Sequence, residues 1–239
     1  PTDDYSYNNV AAGTALKDGK ATEKTYQEEY KLVGYFGRIN YNYQGKYYLS
    51  ASIRHEGSSK FGADHKWGTF PAVSIGWNLK EESFLKNVNF LSFLKLRAGY
   101  GITGTIPGNP YLSLNTLDLG GYGYYGGQWT TLLRASSNPN PDLRWEKKKE
   151  TNIGLDFAFF NDRISGSIDW YNRDTDDLIW DYTVSVPPYV KNTITANAGS
   201  IRNRGLEVSL NFIPVKTKSF TWDTGINFST NTNELVSLS

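Results

Sequence analysis

The sequence predicts an all-β protein: about eight strands of an antiparallel transmembrane β-barrel wall. Three observations predict it. Eight stretches alternate apolar and polar residues with a period of two, which sends successive side chains to opposite faces of a strand. Short and long connections join these stretches in strict turn. No run approaches the roughly 20 apolar residues of a spanning helix, yet aromatic residues make up 15% of the chain. Alternation over segments of about ten residues marks a membrane barrel. A soluble sandwich alternates too, so this pattern alone leaves both architectures open.

Taken in order, the first four strands are Tyr35–Tyr43, Tyr47–Glu56, Val73–Leu79 and Leu94–Tyr100. Gln44-Gly45 is a hairpin-length link between the first pair, and Gly57–Lys66 joins the second strand to the third. Lys80–Phe93 joins the third and fourth, and its Glu81–Lys86 core suits one helical turn. Ile153–Phe159 and Arg163–Tyr171 are joined by Asn161-Asp162; Leu206–Phe212 and Phe220–Ser229 are joined by Pro214–Lys218. Leu206–Phe212 alternates most cleanly, with Leu206, Val208, Leu210 and Phe212 on one face and Glu207, Ser209 and Asn211 on the other. The two longest connections are Gly101–Arg144 and Thr175–Arg204, and a short strand is expected near Tyr26–Lys31 in the polar lead-in.

Strand direction reverses each time, so the short turns share one end and the long loops the other. Outer-membrane barrels have short periplasmic turns and long extracellular loops, whereas a sandwich has no reason to sort its connections. The expected organisation is an extracellular loop region at 1–32, four strands in 33–104, an extracellular loop at 105–144, two strands in 145–175, an extracellular loop at 176–202 and two strands in 203–230.

The alternation assigns faces. Ile39, Tyr41, Leu49, Ile53, Val73, Ile75, Trp77, Leu94 and Leu96 are expected to face lipid, as are Ile153, Leu155, Phe157, Ile164, Ile168, Trp170, Leu210, Phe212, Trp222 and Ile226. Arg38, Arg54, Glu56, Lys95, Arg97, Asp156, Asp169, Glu207 and Asp223 are expected to line a wet interior, where charges of both signs can pair across strands. Tyr41, Tyr43, Tyr47, Phe159, Phe160, Phe212 and Phe220 lie beside the short turns, as an interfacial aromatic girdle would. Eight strands cannot meet lipid with open edges. Either they close on themselves or further strands complete a wider barrel, and composition does not choose.

Composition narrows the function classes. A net charge of +1 gives no electrostatic reason to expect nucleic acid. The absence of cysteine excludes disulfides, thiolate metal sites and cysteine nucleophiles. With no methionine, a first residue of Pro1 and no secretory leader, the sequence is expected to be an internal segment.

Local motifs add little chemistry. Gly99-Tyr100-Gly101-Ile102-Thr103-Gly104 spells G-x-G-x-x-G, but Pro107, Gly108 and Pro110 follow where a dinucleotide site needs a helix, so it is expected to be a loop. Gly120–Trp129 reads as a mobile glycine-rich loop whose Tyr122, Tyr124, Tyr125 and Trp129 could stack on a sugar or a partner protein. Asp174, Asp176 and Asp177 could approach a calcium ion but lack the EF-hand glycine and distal glutamate, so a solvated acidic rim is expected and no metal. His55 and His65 have no partner at metal-ligand spacing. The acid pairs Glu28-Glu29 and Glu81-Glu82 would point to opposite faces of a strand, and no triad spacing appears, so no enzyme and no cofactor are expected.

A series of motifs resembles the TonB-dependent transporters of the SusC type (the SusC/RagA family of Bacteroidetes). They are Tyr35–Tyr41, Tyr48–Arg54 with Gly57–Gly62, Trp67–Ser74, Leu94–Gly101, Asn140–Glu146, Glu150–Asp156, Asn203–Glu207 and Phe228–Asn231, in the family's order. The resemblance implies a central piece of a plugged barrel of about 22 strands, without its plug and terminal strands. It implies uptake of oligosaccharides or oligopeptides across the outer membrane. The partners it implies are a SusD-like surface lipoprotein as lid, the TonB-ExbB-ExbD complex acting through the plug, and outer-membrane lipid; the transporter–lid pair could form a homodimer. Two rivals are a self-contained eight-stranded barrel with a structural or adhesive role and a soluble carbohydrate-binding β module.

Overall fold

The computed structural model describes residues 28–238. The short strand expected near Tyr26–Lys31 falls partly outside that range, and the described part, 28–31, is not strand. From Leu32 onward the chain forms twelve strands. Eight of them make one antiparallel sheet: β1 (Leu32–Tyr43), β2 (Tyr47–Ser58), β3 (Trp67–Asn78), β4 (Leu91–Thr105), β7 (Glu146–Phe159), β8 (Ile164–Asp176), β11 (Ser200–Lys216) and β12 (Thr221–Ser237), in that order. The other four form two separate hairpins, β5 (Leu117–Tyr125) with β6 (Gln128–Ala135) and β9 (Ile179–Thr183) with β10 (Thr193–Asn197).

Turn chemistry explains the short ends. Between β1 and β2, Gln44 and Gly45 both take positive φ (53° and 67°), and the Lys46 amide donates to the Tyr43 carbonyl. Two left-handed residues in succession give the primed turn whose twist suits a hairpin. Phe160, Asn161 and Asp162 turn β7 into β8, all three left-handed. Between β3 and β4 the expected helical turn is present as α1 (Ser83–Lys86), and Lys80 Nζ donates to the carbonyls of Leu85, Lys86 and Val88 at its C-terminal end.

The register settles the faces. One transverse row runs through all eight strands as Asn42, Tyr48, Gly76, Arg97, Gly154, Asp169, Glu207 and Ser229. The neighbouring row, one residue along, runs Tyr41, Leu49, Ile75, Ala98, Ile153, Trp170, Leu206 and Thr230. The first row is polar with two glycines; the second is almost wholly apolar. Adjacent rows point to opposite faces, so the sheet has one polar and one apolar side.

The apolar side is uncovered. Ile39 is 72% exposed, Ile75 57% and Ile226 58%. A soluble sandwich would bury this face against a second sheet, and among the described residues no layer lies on it. Nor does the sheet close: β1 pairs only with β2, β12 only with β11, and every residue of both edge strands is exposed. The open sheet agrees with a wall segment of a larger barrel, as expected, and not with the rival self-contained eight-stranded barrel. In hydrocarbon each unpaired edge group would cost several kcal/mol, so β1 and β12 require neighbouring strands.

Two loop expectations are corrected. Residues 120–129 are not an unstructured loop but most of the β5–β6 hairpin, turning at Gly126 and Gly127, both with positive φ. A Gly-Gly step between aromatic segments is itself a hairpin signal. The Gly99–Gly104 motif is strand rather than loop, because β4 stays paired with β7 through Gly101–Glu150 and Gly104–Lys147.

Candidate functional site

The polar face carries the first part of the site. All nine residues expected to line the interior (Arg38, Arg54, Glu56, Lys95, Arg97, Asp156, Asp169, Glu207 and Asp223) fall on one side of the sheet by register and alternation. Arg97 is the centre. Its Nε and Nη2 donate to both oxygens of Asp156 at 2.7 and 2.8 Å, and Nη2 reaches Asp169 Oδ1 at 3.0 Å. Arg97 stands on β4 and Asp169 on β8, so the guanidinium crosses β7. It crosses at Gly154, where a Cβ would lie 2.4 Å from Asp169 Oδ1 and 2.7 Å from Arg97 Nη2. The Glu150-Thr151-Asn152-Ile153-Gly154-Leu155-Asp156 motif thus supplies both the crossing point and the first carboxylate.

Lys95, two residues from Arg97 and on the same face, leans the other way over β3 and places Nζ 4.4 Å above the Tyr48 ring, a cation–π contact. Arg38 lies over Phe36, and Arg54 pairs with the buried Glu56. A further inner pair, Arg173 with Glu150, lies nearer the long-loop end (Nε–Oε2 2.9 Å). Sequence reading missed it because both residues lie beyond the ends of the expected strands. Between these groups lies a concavity of about 480 Å³ whose lining includes the polar Asn40, Asn42, Ser50, Ser74, Lys95 and Asn152 beside apolar Leu49 and Ile75.

The long-loop end carries the second part. Phe61, Phe70, Leu143 and Trp145 form a buried cluster, with Ile102, Ile106, Leu112 and Ile179 packed on it. Trp145 stacks obliquely on Phe61 (4.8 Å) and edge-on to Phe70 (5.1 Å), while its Nε1 donates to the Lys66 carbonyl at 3.0 Å. The ladder between β3 and β4 ends at Ala72–Gly101, and beyond it these side chains, rather than strand pairing, hold the loops.

Asparagines complete the clasp. Asn138 Nδ2 donates to the carbonyls of Lys191 and Thr193, and its Oδ1 accepts from the amides of Val190 and Lys191. Asn140 Nδ2 donates to Thr195; Asn197 exchanges hydrogen bonds with the Arg144 backbone; Arg144 pairs with Asp177 at 2.7 Å. The Asp177 carboxylate beside it pushes the Arg144 guanidinium further above its ordinary range. Lys60 Nζ donates to the Pro107 and Gly108 carbonyls at 2.9 and 2.6 Å. Gly62 is pressed so close to Pro141 that a Cβ would sit 1.6 Å from its carbonyl oxygen. The segment 138–145 therefore ties all three long loops together. Sequence reading marked Asn140–Glu146 as typical but gave it no role, because its partners lie some 50 residues away.

The β5–β6 hairpin projects aromatic side chains. Tyr122, Tyr124, Tyr125 and Trp129 are all highly exposed. Tyr124 pairs with Trp129 across the hairpin, ring edge to face at 5.5 Å. Tyr122, two residues from Tyr124, shares their face, and Tyr125 points to the other. Of the three aspartates considered for calcium, Asp174 and Asp176 share a face of β8, but each carboxylate is taken by a cation: Asp174 pairs with Arg202, Asp176 with Lys149 and Asp177 with Arg144. His55 stacks on Trp67 at 4.8 Å and is hydrogen-bonded to the Thr69 hydroxyl.

The family model described as TonB dependent receptor-like, beta-barrel, matches residues 1–237. The chain is 43% identical over 228 residues to the TonB-dependent receptor SusC of Bacteroides thetaiotaomicron, covering 92% of this chain and 22% of that protein. The chain thus spans about a fifth of the length of this curated relative. Among solved structures it superposes on the RagAB peptide importer in its closed-closed state with a TM-score of 0.81, at 28% identity, over 93% of this chain and 25% of that one. The siderophore receptor PirA of Pseudomonas aeruginosa, at 15% identity and a TM-score of 0.53 over 85% of this chain and 32% of that one, shares the fold.

Proposed function

Since the chain belongs to the TonB-dependent receptor β-barrel family, we propose that it forms part of the wall of a plugged importer of oligosaccharides or oligopeptides. The protein resides in the bacterial outer membrane, as SusC-like members of the family do. The polar row from Asn42 to Ser229 faces the lumen and the apolar row from Tyr41 to Thr230 faces lipid. That pairing of rows is the observation that carries the reading.

In this role the chain does no covalent chemistry and is not an enzyme. Arg97 pinned between Asp156 and Asp169 keeps the inner wall rigid and its charges balanced, so a neutral polar cargo meets hydrogen-bonding groups without a strong field of one sign. The clasped loops are extracellular and form a fixed rim. The exposed aromatic face of Tyr122, Tyr124 and Trp129 contacts cargo or a SusD-like lid, since flat aromatic rings supply area at little entropic cost. Energy reaches the assembly from TonB through a plug outside this segment. The similarity to a peptide importer supports the peptide class, and the saccharide class rests on the resemblance of the motifs to the SusC type.

The test uses the full-length parent. It is expected in membranes, extracted only with detergent, and to bring with it a surface lipoprotein and an oligosaccharide or peptide detectable by mass spectrometry. Recovery as a soluble protein without detergent would refute the reading.

A further inference from the structure

The apolar face is not evenly filled. Along its central row Ala98 is the one small side chain between Ile75 and Ile153, where the row otherwise carries large groups. A groove of about 430 Å³ opens there, lined by Tyr41, Leu49, Ile75, Trp77, Leu96 and Ala98. These six residues belong to the face that meets lipid, and Tyr48 and Gly76 of the polar row also line the groove. The groove continues to Tyr47 at the short-turn end, where the Tyr43, Tyr47 and Trp77 rings stack in series at 6.4 and 6.3 Å.

The groove ends on fixed charge. Tyr47 Oη and Trp77 Nε1 donate to Glu82 Oε1 at 2.6 and 3.1 Å, and Lys46 Nζ lies 3.3 Å from Glu82 Oε2. Three donors hold this carboxylate in place, and a carboxylate has about four acceptor sites, so one acceptor direction is left for a ligand. Lys46, in turn, presents two further N–H groups. An apolar trough that ends in a carboxylate and an ammonium at an aromatic belt has the amphipathic form of a lipid with a zwitterionic headgroup.

We propose that this groove binds a single phosphatidylethanolamine from the inner leaflet, one acyl chain in the trough, its phosphate against Lys46 and its ammonium against Glu82. The assignment rests on the reading of this face as the lipid-facing wall and of the short turns as periplasmic. It goes beyond general contact with the bilayer. A lipid held by chain and headgroup together leaves more slowly than its neighbours.

Native mass spectrometry of the detergent-solubilised full-length protein during stepwise delipidation tests this. Wild-type protein should pass through a plateau with one phosphatidylethanolamine bound. Ala98→Phe, which fills the trough from outside the wall, should abolish the plateau, while Val208→Phe, on the same face but on β11, should keep it. Glu82→Gln should weaken retention about tenfold and guards against a folding defect in Ala98→Phe. The proposal is overturned if lipid leaves wild type without a one-copy plateau, or if Ala98→Phe and Glu82→Gln both retain lipid as wild type does. Either result in a protein that still needs detergent leaves the membrane-wall reading standing; extraction without detergent would overturn both.

Discussion

Replacing Trp145 with alanine should free the long loops while leaving the wall intact, and the size of the effect can be worked out. The ring is 3% exposed and packs on Phe61 and Phe70. Truncating such a buried aromatic costs about 3–5 kcal/mol, and the lost hydrogen bond to the Lys66 carbonyl adds about 1 kcal/mol. Taking about 4 kcal/mol as the change in local opening, amide exchange should accelerate on the order of 10³-fold, at 1.4 kcal/mol per decade. The amides to watch are Gly62, bonded to the Leu143 carbonyl, and Asn140, bonded to Leu112. Hydrogen exchange read by mass spectrometry on the full-length protein in detergent would follow both. Amides in the β7–β8 ladder should not change. Trp145→Phe keeps most of the packing and loses the hydrogen bond, so its effect should be about tenfold or less. Unchanged exchange at Gly62 and Asn140 in the alanine variant would refute the idea that this cluster holds the loops. Equal acceleration in β7 and β8 would refute its independence from the wall.

Two further outcomes are expected. Gly154→Leu should push the Arg97 guanidinium off Asp169 and cost about 1–3 kcal/mol, between the values for exposed and buried ion pairs. It would be read as a lower temperature for loss of the folded band on a semi-native gel, and adding Asp169→Asn should lower it little further, because both changes remove the same Arg97–Asp169 contact. Fully additive losses would argue against the crossing. At the short-turn end, the Tyr47 hydroxyl and then the Trp77 N–H hold the Glu82 carboxyl below its usual range. Its folded pKa is therefore below the unfolded one, so its contribution is present above the unfolded value of about 4 and is lost as pH falls through the folded value. Near-UV circular dichroism of the belt aromatics, titrated from neutral to acid, should show a transition that Glu82→Gln lacks; superimposable titrations would count against this account.

Face assignment was legible in the sequence because a strand's side-chain period is two, whatever the strand pairs with. Ile153, Leu155 and Phe157 alternate with Asn152, Gly154 and Asp156, and no tertiary contact is needed to separate those sets. The alternation of ends was legible too, since reversal of direction at each strand is enough to place successive connections at opposite ends; by length one pair is inverted, because 79–90 at the short-turn end is longer than 59–66 at the long-loop end. The β5–β6 hairpin escaped because its glycines were taken for mobility, although Gly126-Gly127 is also what a tight primed turn demands. The clasp escaped for another reason: Asn138, Asn140 and Asn197 bond to backbone, and a backbone carbonyl leaves no trace in the identity of the residue that carries it.

What the sequence by itself determined, then, was which side chains share a face and at which end each connection lies, both consequences of local chain geometry. Only the tertiary structure decided which residues stand opposite one another. Register depends on where every turn begins and ends along the sheet, and it is register that sets Gly154 between Arg97 and Asp169 and so lets one guanidinium join three strands.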